Sequence, residues 1–199
     1  KNYKNLIALD LVKKPLQMIK EKDPSIKIKY GDVKNLPIKN NSIDMYLSMG
    51  VIEHFEEGPK ESLNEARRVL KNNGILIVAV PYQNIYRSTL RKYFTIPILK
   101  LLFPSFRNKN RKFYQYYYTK KDLCIFFKDA NFEILDCFYY DQFHTKNKRI
   151  GISLEFPFMK KNNGEKYELN MLGKITAYLS ESISRSIFSS SIAFVLKNK

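Results

Sequence analysis

At 199 residues with 44% hydrophobic side chains, the chain is long enough for one sizeable core, and a single domain over 1–199 is expected. Its two cysteines, Cys124 and Cys137, form no CxxC pair, which argues against a disulfide scaffold and a cysteine zinc site; no metal site is expected. The formal net charge of +16 favours anionic partners such as nucleic acid, phosphorylated substrates or an anionic membrane face, unless a general drift towards lysine-rich composition produced it.

The elements alternate. Leu6–Leu11 reads as a short buried strand with Asp10 near its carboxyl end, followed by a helix from Pro15, a residue suited to a first helical turn, to about Lys22. Asp23-Pro24 stops that helix, and the IKIKY alternation to Tyr30 predicts a half-buried strand near a sheet edge. Asn40-Asn41 turns the chain into a strand over Ser42–Ser48. Gly58-Pro59 opens a helix with Leu63, Ala66 and Leu70 on one face, and Gly74 is expected to close it in the left-handed conformation. Ile75–Val80 is apolar throughout, as in a central strand covered on both faces.

After Pro81 the pattern changes. Asn84–Leu102 reads as broken helix interrupted at Pro97, and Thr119 with Asp122 forms a capping box for a helix to Ala130 whose buried face is Leu123, Phe126 and Phe127. Phe132–Tyr140 is a strand and 141–167 is irregular. Leu169–Arg185 is a helix with Leu172, Ile175, Leu179 and Ile183 in register, and the final strand is Ser191–Lys197. The order of strands and helices implies right-handed crossovers and an α/β fold with a Rossmann-like, mostly parallel sheet flanked by helices. Ligands of such sheets bind beyond the carboxyl ends of the strands, where Asp10, Asp32 and Gly50–His54 fall.

Each of these residues has two readings. Asp10 can accept two bonds from a ribose diol, or cap the following helix. Asp32 can reach an exocyclic adenine amine while Val33 or Leu36 covers the ring, or close an Asx-turn. Asp44 fixes a loop. His54 can take a proton from a hydroxyl nucleophile or contact substrate, or pin its loop through a hydrogen bond. Glu53 can bind an amine or orient the same loop.

The run GDVKNLPIKNNSIDMYLSMGVIEHF, followed by EARRVLKNNGILIVAVP, resembles the class I S-adenosylmethionine-dependent methyltransferases, in their small-molecule, type 11-like branch. The likeness is strong over 6–81 and extends through TKKDLCIFFKDANFEILDCFYY to about residue 140. It implies S-adenosylmethionine as cofactor. Asp10 would hold the ribose, Asp32 the adenine amine and Val33 the ring; Met49 to His54, with Gly50 and Glu53 among them, would pass the methionine moiety and open towards the acceptor. For catalysis the best candidate in the sequence is His54, as the base that a hydroxyl nucleophile needs. The family's first strand and glycine-rich loop have no counterpart here, so the chain is expected to be N-terminally incomplete, with enzymatic activity tied to an upstream loop.

Between Ala66 and Lys121 the chain has thirteen Lys or Arg and no acid. Within that window, 82–118 is a basic, aromatic insertion after the fourth strand, in the position of a substrate lid, and 141–190 is a second variable segment. The alternatives for the insertion are a lid over its own site, an anionic membrane surface bound through 84–112, and base stacking on Phe113, Tyr114, Tyr116, Tyr117 and Tyr118; nucleic acid is the least favoured partner. The expected function is methyl transfer to a small or lipid-linked acceptor; the alternative is a non-catalytic or truncated scaffold with a methyltransferase-like sheet. With no apolar run of spanning length, a cytoplasmic, membrane-peripheral location fits this reading.

Overall fold

A computed structural model describes residues 5–95, 97, 98, 101, 113–141 and 148–199. Strand β1 (Ile7–Asp10) leads into helix α1 (Lys13–Lys22) and back to β2 (Lys27–Tyr30), which pairs with β1 in parallel register, Asp10 opposite Tyr30. A second crossover joins β3 (Ile43–Met49), helix α2 (Lys60–Val69) and β4 (Leu70–Pro81), again with β3 and β4 parallel. Helix α3 (Lys120–Asp129) precedes β5 (Phe132–Tyr140). The short helix α4 (Ile150–Glu155) and helix α5 (Met171–Ile183) precede β6 (Ser191–Asn198).

The strands form a two-stranded sheet, β1-β2, and a four-stranded sheet in the order β3-β4-β6-β5. The Rossmann-like α/β architecture is as expected. Its two crossover ladders are parallel, whereas β6 runs antiparallel to both β4 and β5. The reason is local: the long 141–190 connection leaves β5 at Tyr140 and re-enters the sheet at the same end, with Ser191 of β6 opposite Tyr140. Its first part, 141–167, is less irregular than expected, since it contains α4, and α5 falls where a helix was expected.

One face of the larger sheet carries the core. Leu76, Val78 and Val80 alternate along β4, as do Ile192, Phe194 and Leu196 along β6, and they meet Leu63 and Ala66 of α2 and Leu123 and Phe127 of α3. β4 is central in its pairing, but Ile75 and Ile77 on its other face are half-buried, so the cover on that side is partial. Phe126 and the two cysteine thiols are likewise half-buried rather than enclosed.

Three local expectations change or hold for clear reasons. The capping box is formed: the Thr119 hydroxyl accepts from the Asp122 amide at 3.1 Å while the Asp122 carboxylate accepts from the Thr119 amide at 3.0 Å. Helix α2 stops earlier than Gly74, and it is Asn73, at φ 63°, that takes the left-handed conformation. Gly74 serves close approach instead, because a Cβ there would lie 2.8 Å from the Lys71 carbonyl oxygen. On α5, the register of Leu172, Ile175, Leu179 and Ile183 does not face the core. The helix buries Gly173, Ala177 and Ser180 and turns its large side chains outward.

Candidate active site

The site is built from the carboxyl ends of the parallel strands. Asp10 closes β1, and the Gly31 amide bonds its carbonyl at 3.3 Å, which sets Asp32 and Val33 next to the end of β1. The loop from Asp32 to Ile38 then docks on α2. The Leu36 amide donates to Glu65 Oε1 at 2.6 Å, and the Arg68 guanidinium reaches the carbonyls of Leu36 at 3.0 Å and Ile38 at 2.9 Å. Arg68 itself pairs with Glu65, and that hydrogen bond holds the Glu65 carboxyl below its ordinary range. Docking places Val33 in a narrow cleft with Tyr46, Ser48, Val51 and Ile52, and Lys34 over the Phe55 ring at 4.6 Å. A continuous row therefore runs from Asp10 through Asp32 and Val33 to the segment after β3.

That segment begins with Met49, whose side chain is exposed, and Gly50, which adopts φ 70° and donates to the Ala79 carbonyl at 2.8 Å. The left-handed backbone at Gly50 turns the chain sharply off the strand, a conformation an L side chain resists. A single 3₁₀ turn, Ile52–His54, follows. Its two ionisable groups differ. Glu53 is only 2% exposed, and its Oε2 has no hydrogen-bond partner. Burial pushes its carboxyl above the ordinary range, opposed by a backbone hydrogen bond and the His54 ring. His54 is exposed, with Nδ1 2.9 Å from the Tyr114 carbonyl oxygen and Nε2 3.9 Å from Glu53 Oε1. A carbonyl oxygen only accepts, so Nδ1 carries the proton in the neutral ring and Nε2 keeps the lone pair.

Tyr114–Tyr118 forms an extended strap over this turn. The Tyr116 amide donates to the Glu53 carbonyl at 2.8 Å, the Tyr116 hydroxyl to the Glu56 carbonyl at 2.9 Å, and the Tyr118 segment pairs with Tyr82 past the end of β4. The Tyr118 hydroxyl is buried without a partner; burial, nearby Tyr116 and the Glu53 charge push its pKa up to about 12. Burial also raises the Tyr140 phenol at the end of β5, with Glu53 contributing. Beyond Tyr140, a cavity of about 290 Å³ opens between β5, Arg149 and the inner side of α5.

The two readings of each sequence candidate meet here. Asp10 Oδ1 accepts from the Val12 amide at 2.8 Å and Asp32 Oδ1 from the Lys34 amide at 2.9 Å, so each performs its local turn role with one oxygen. One carboxylate oxygen remains on each for a ligand. Asp44 pairs with Lys71 at 2.7 Å, away from the row. His144 lies outside the described residues, as do 96, 99, 100 and 102–112 of the basic insertion. Of its arginines, Arg87 is not a surface cation: it is buried against Glu155 and stacks 4.5 Å from the centre of the Tyr117 ring. The strap was legible only as an aromatic run. It works here mainly through backbone atoms of Tyr114 and Tyr116, which residue type does not reveal.

A family model described as a methyltransferase domain matches residues 1–78. The ubiquinone/menaquinone biosynthesis C-methyltransferase UbiE of Campylobacter jejuni is 29% identical over 150 residues, covering 68% of this chain and 61% of that protein. The chloroplastic 2-methyl-6-phytyl-1,4-hydroquinone methyltransferase of Arabidopsis thaliana is 38% identical over 73 residues, 36% of this chain and 21% of that one. Among solved structures, the complex between the Haloferax volcanii Trm112 methyltransferase activator and the putative methyltransferase contains a chain that superposes with a TM-score of 0.61 at 17% identity, covering 98% of this chain and 72% of that one. Together these likenesses support a class I S-adenosylmethionine-dependent methyltransferase. That family and fold imply S-adenosylmethionine as cofactor. The chain spans 61% of the length of the Campylobacter relatives it matches.

The residues present fit the adenosyl end of that cofactor. Two short carboxylates, each with an oxygen to spare, flank an apolar residue, and the exposed backbone at Gly50 is clear: a Cβ there would meet only Glu53 Oε1, at 3.6 Å. Among the described residues no helix is long and apolar enough to cross a membrane.

Proposed function

We propose that this methyltransferase transfers a methyl group to a hydroxylated, lipid-linked ring acceptor of the quinol class, with His54 as general base. The observation that carries the reading is the tautomer imposed on His54. Its Nδ1 is committed to the Tyr114 carbonyl, which leaves an exposed Nε2 lone pair at the end of the cofactor row. A phenolic acceptor becomes nucleophilic as its O–H bond breaks, and Nε2 is the atom that takes the proton. S-adenosylmethionine, when bound, supplies an electrophilic methyl carbon on a sulfonium. Asp10 would hold its ribose and Asp32 its adenine amine, with Val33 against the ring; Met49 and Gly50 would flank the methionine part.

The names of the two curated relatives, a C-methyltransferase of ubiquinone and menaquinone biosynthesis and a phytyl-hydroquinone methyltransferase, support the acceptor class. Glu53 fits the acceptor side better than an amine of the cofactor. Its buried, unpartnered Oε2 and the unpartnered Tyr118 hydroxyl are groups that a polar atom of a bound ligand would satisfy. Nothing in this arrangement favours a scaffold role over a catalytic one.

The test is calorimetric titration of the chain with S-adenosylmethionine, followed by product analysis with a short-tailed hydroquinone. Saturable binding and a methylated product are expected. An absence of binding at millimolar cofactor would overturn the reading for this chain.

A further inference from the structure

Helix α5 is built inside out. Its buried face is Gly173, Ala177 and Ser180, the small residues of MLGKITAYLSESI. The close packing is enforced at Gly173, where a Cβ would stand 2.7 Å from the Met159 carbonyl oxygen. The outward arc holds the large side chains: Met171 at 79% exposed, Ile183 at 79% and Tyr178 at 73%, with Leu172, Ile175 and Leu179 about half exposed between them. Phe158, at 65% exposed on the neighbouring turn, extends the patch. An apolar stripe this continuous on one helix is what a buried face normally looks like.

Charge selects the occupant. The acids nearest this surface are already neutralised, Glu181 by Arg149 at 2.8 Å and Glu168 by Lys161 at 3.1 Å. Lys174 on the flank of the helix and Arg185 just beyond its end are exposed and remain in excess, on a chain of net charge +16. A second copy would bring like charges together around the stripe. An anionic lipid surface receives both the stripe and its cations.

We propose that α5 is an in-plane membrane-docking helix that seats Met171, Leu172, Ile175, Tyr178, Leu179 and Ile183 in an anionic bilayer surface. Its 13 residues make a helix of roughly 20 Å, too short to span a bilayer and suited to lying along it. In the sequence the helix lies well after the basic insertion at 84–112. Its inner side, at Ser180, Glu181 and Ser184, lines the cavity that leads to Tyr140. The proposal stands on the helix alone and does not depend on the chemistry assigned to His54.

Vesicle co-sedimentation of the full chain tests it. The chain is expected to sediment with vesicles containing anionic lipid and to remain in the supernatant with purely zwitterionic ones. Leu172→Ser with Leu179→Ser alters only exposed positions and should weaken apparent binding by about tenfold or more. Lys174→Gln should weaken it by about fivefold, with the difference lost at high salt. No sedimentation of the wild type with anionic vesicles overturns the proposal, as does binding that the serine pair leaves unchanged. A dimer in light scattering that the serine pair converts to monomer overturns it in favour of a second copy. Cofactor binding, measured in parallel, reads the methyl-transfer proposal separately.

Discussion

His54 Nδ1 lies 2.9 Å from the carbonyl oxygen of Tyr114, a residue sixty positions further along the chain. This contact ties the turn after β3 to the aromatic strap and fixes which imidazole nitrogen is free. Replacing His54 with Ala should lower turnover by about 10²- to 10⁴-fold, the range of general-base catalysis. Cofactor affinity, measured by calorimetry, should be nearly unchanged, because the row from Asp10 to Gly50 is untouched. A parallel loss of both would instead assign His54 to cofactor binding.

Asp10 separates its two roles by oxygen atom. Oδ1 holds the Val12 amide at 2.8 Å, and an asparagine can keep that bond through its own carbonyl. Asp10→Asn is therefore expected to leave thermal stability nearly intact while weakening S-adenosylmethionine binding by about 1.5–3 kcal/mol, the value of a charge-assisted hydrogen bond. Isothermal titration of the two proteins checks it. Equal affinities would remove Asp10 from the cofactor site.

Glu53 should cost the fold stability at neutral pH. Its carboxyl is raised above the ordinary value of 4.5 by burial, so the native state binds its proton more tightly than the unfolded chain does. The contribution of this group to stability is fully present below the unfolded pKa. It is lost as pH rises through the raised folded value, where the native state must ionise a buried acid or hold a proton against solution. Glu53→Gln removes that penalty. The variant should be more stable than wild type at neutral pH, with the gap closing as the pH falls below the unfolded carboxyl's ordinary value. Urea denaturation at both pH values measures it. A constant gap across pH would show that packing, not ionisation, is responsible.

Much of this was legible because it depends on residue type. The β1-to-β4 alternation, the Thr119–Asp122 box and the positions of Asp10, Asp32 and His54 at strand ends follow from apolar periodicity and from side chains whose chemistry is local. What the sequence concealed depends on backbone and on inversion. The strap binds the Glu53 turn through the Tyr116 amide and Tyr114 carbonyl, groups every residue carries. The antiparallel β6 depends on how a long connection returns. On α5 the rule that large apolar residues face the core points the wrong way, because Gly173 and Ala177 allow a closer approach than leucine would. A window of small residues spaced four apart, set against a large apolar stripe, is the signal that would have revealed it.

The last test concerns the joint between insertion and body. Arg87 and Glu155 are both about 5% exposed and paired, and the Arg87 guanidinium also donates to the Tyr82 carbonyl at 2.8 Å. A buried pair contributes little net stability against an apolar replacement, but breaking it strands a charge. Arg87→Met should therefore destabilise the fold by about 3–5 kcal/mol, and Glu155→Leu by a similar amount. The double variant should recover most of the loss, since no charge is then left without a partner. Arg91, 3.6 Å from Glu155, supplies partial compensation and should make the Arg87 change the milder of the two. A double-mutant cycle by urea denaturation reads the coupling directly. Additive losses would mean that the two side chains act through separate contacts, Arg87 through the Tyr117 ring and Glu155 through α4.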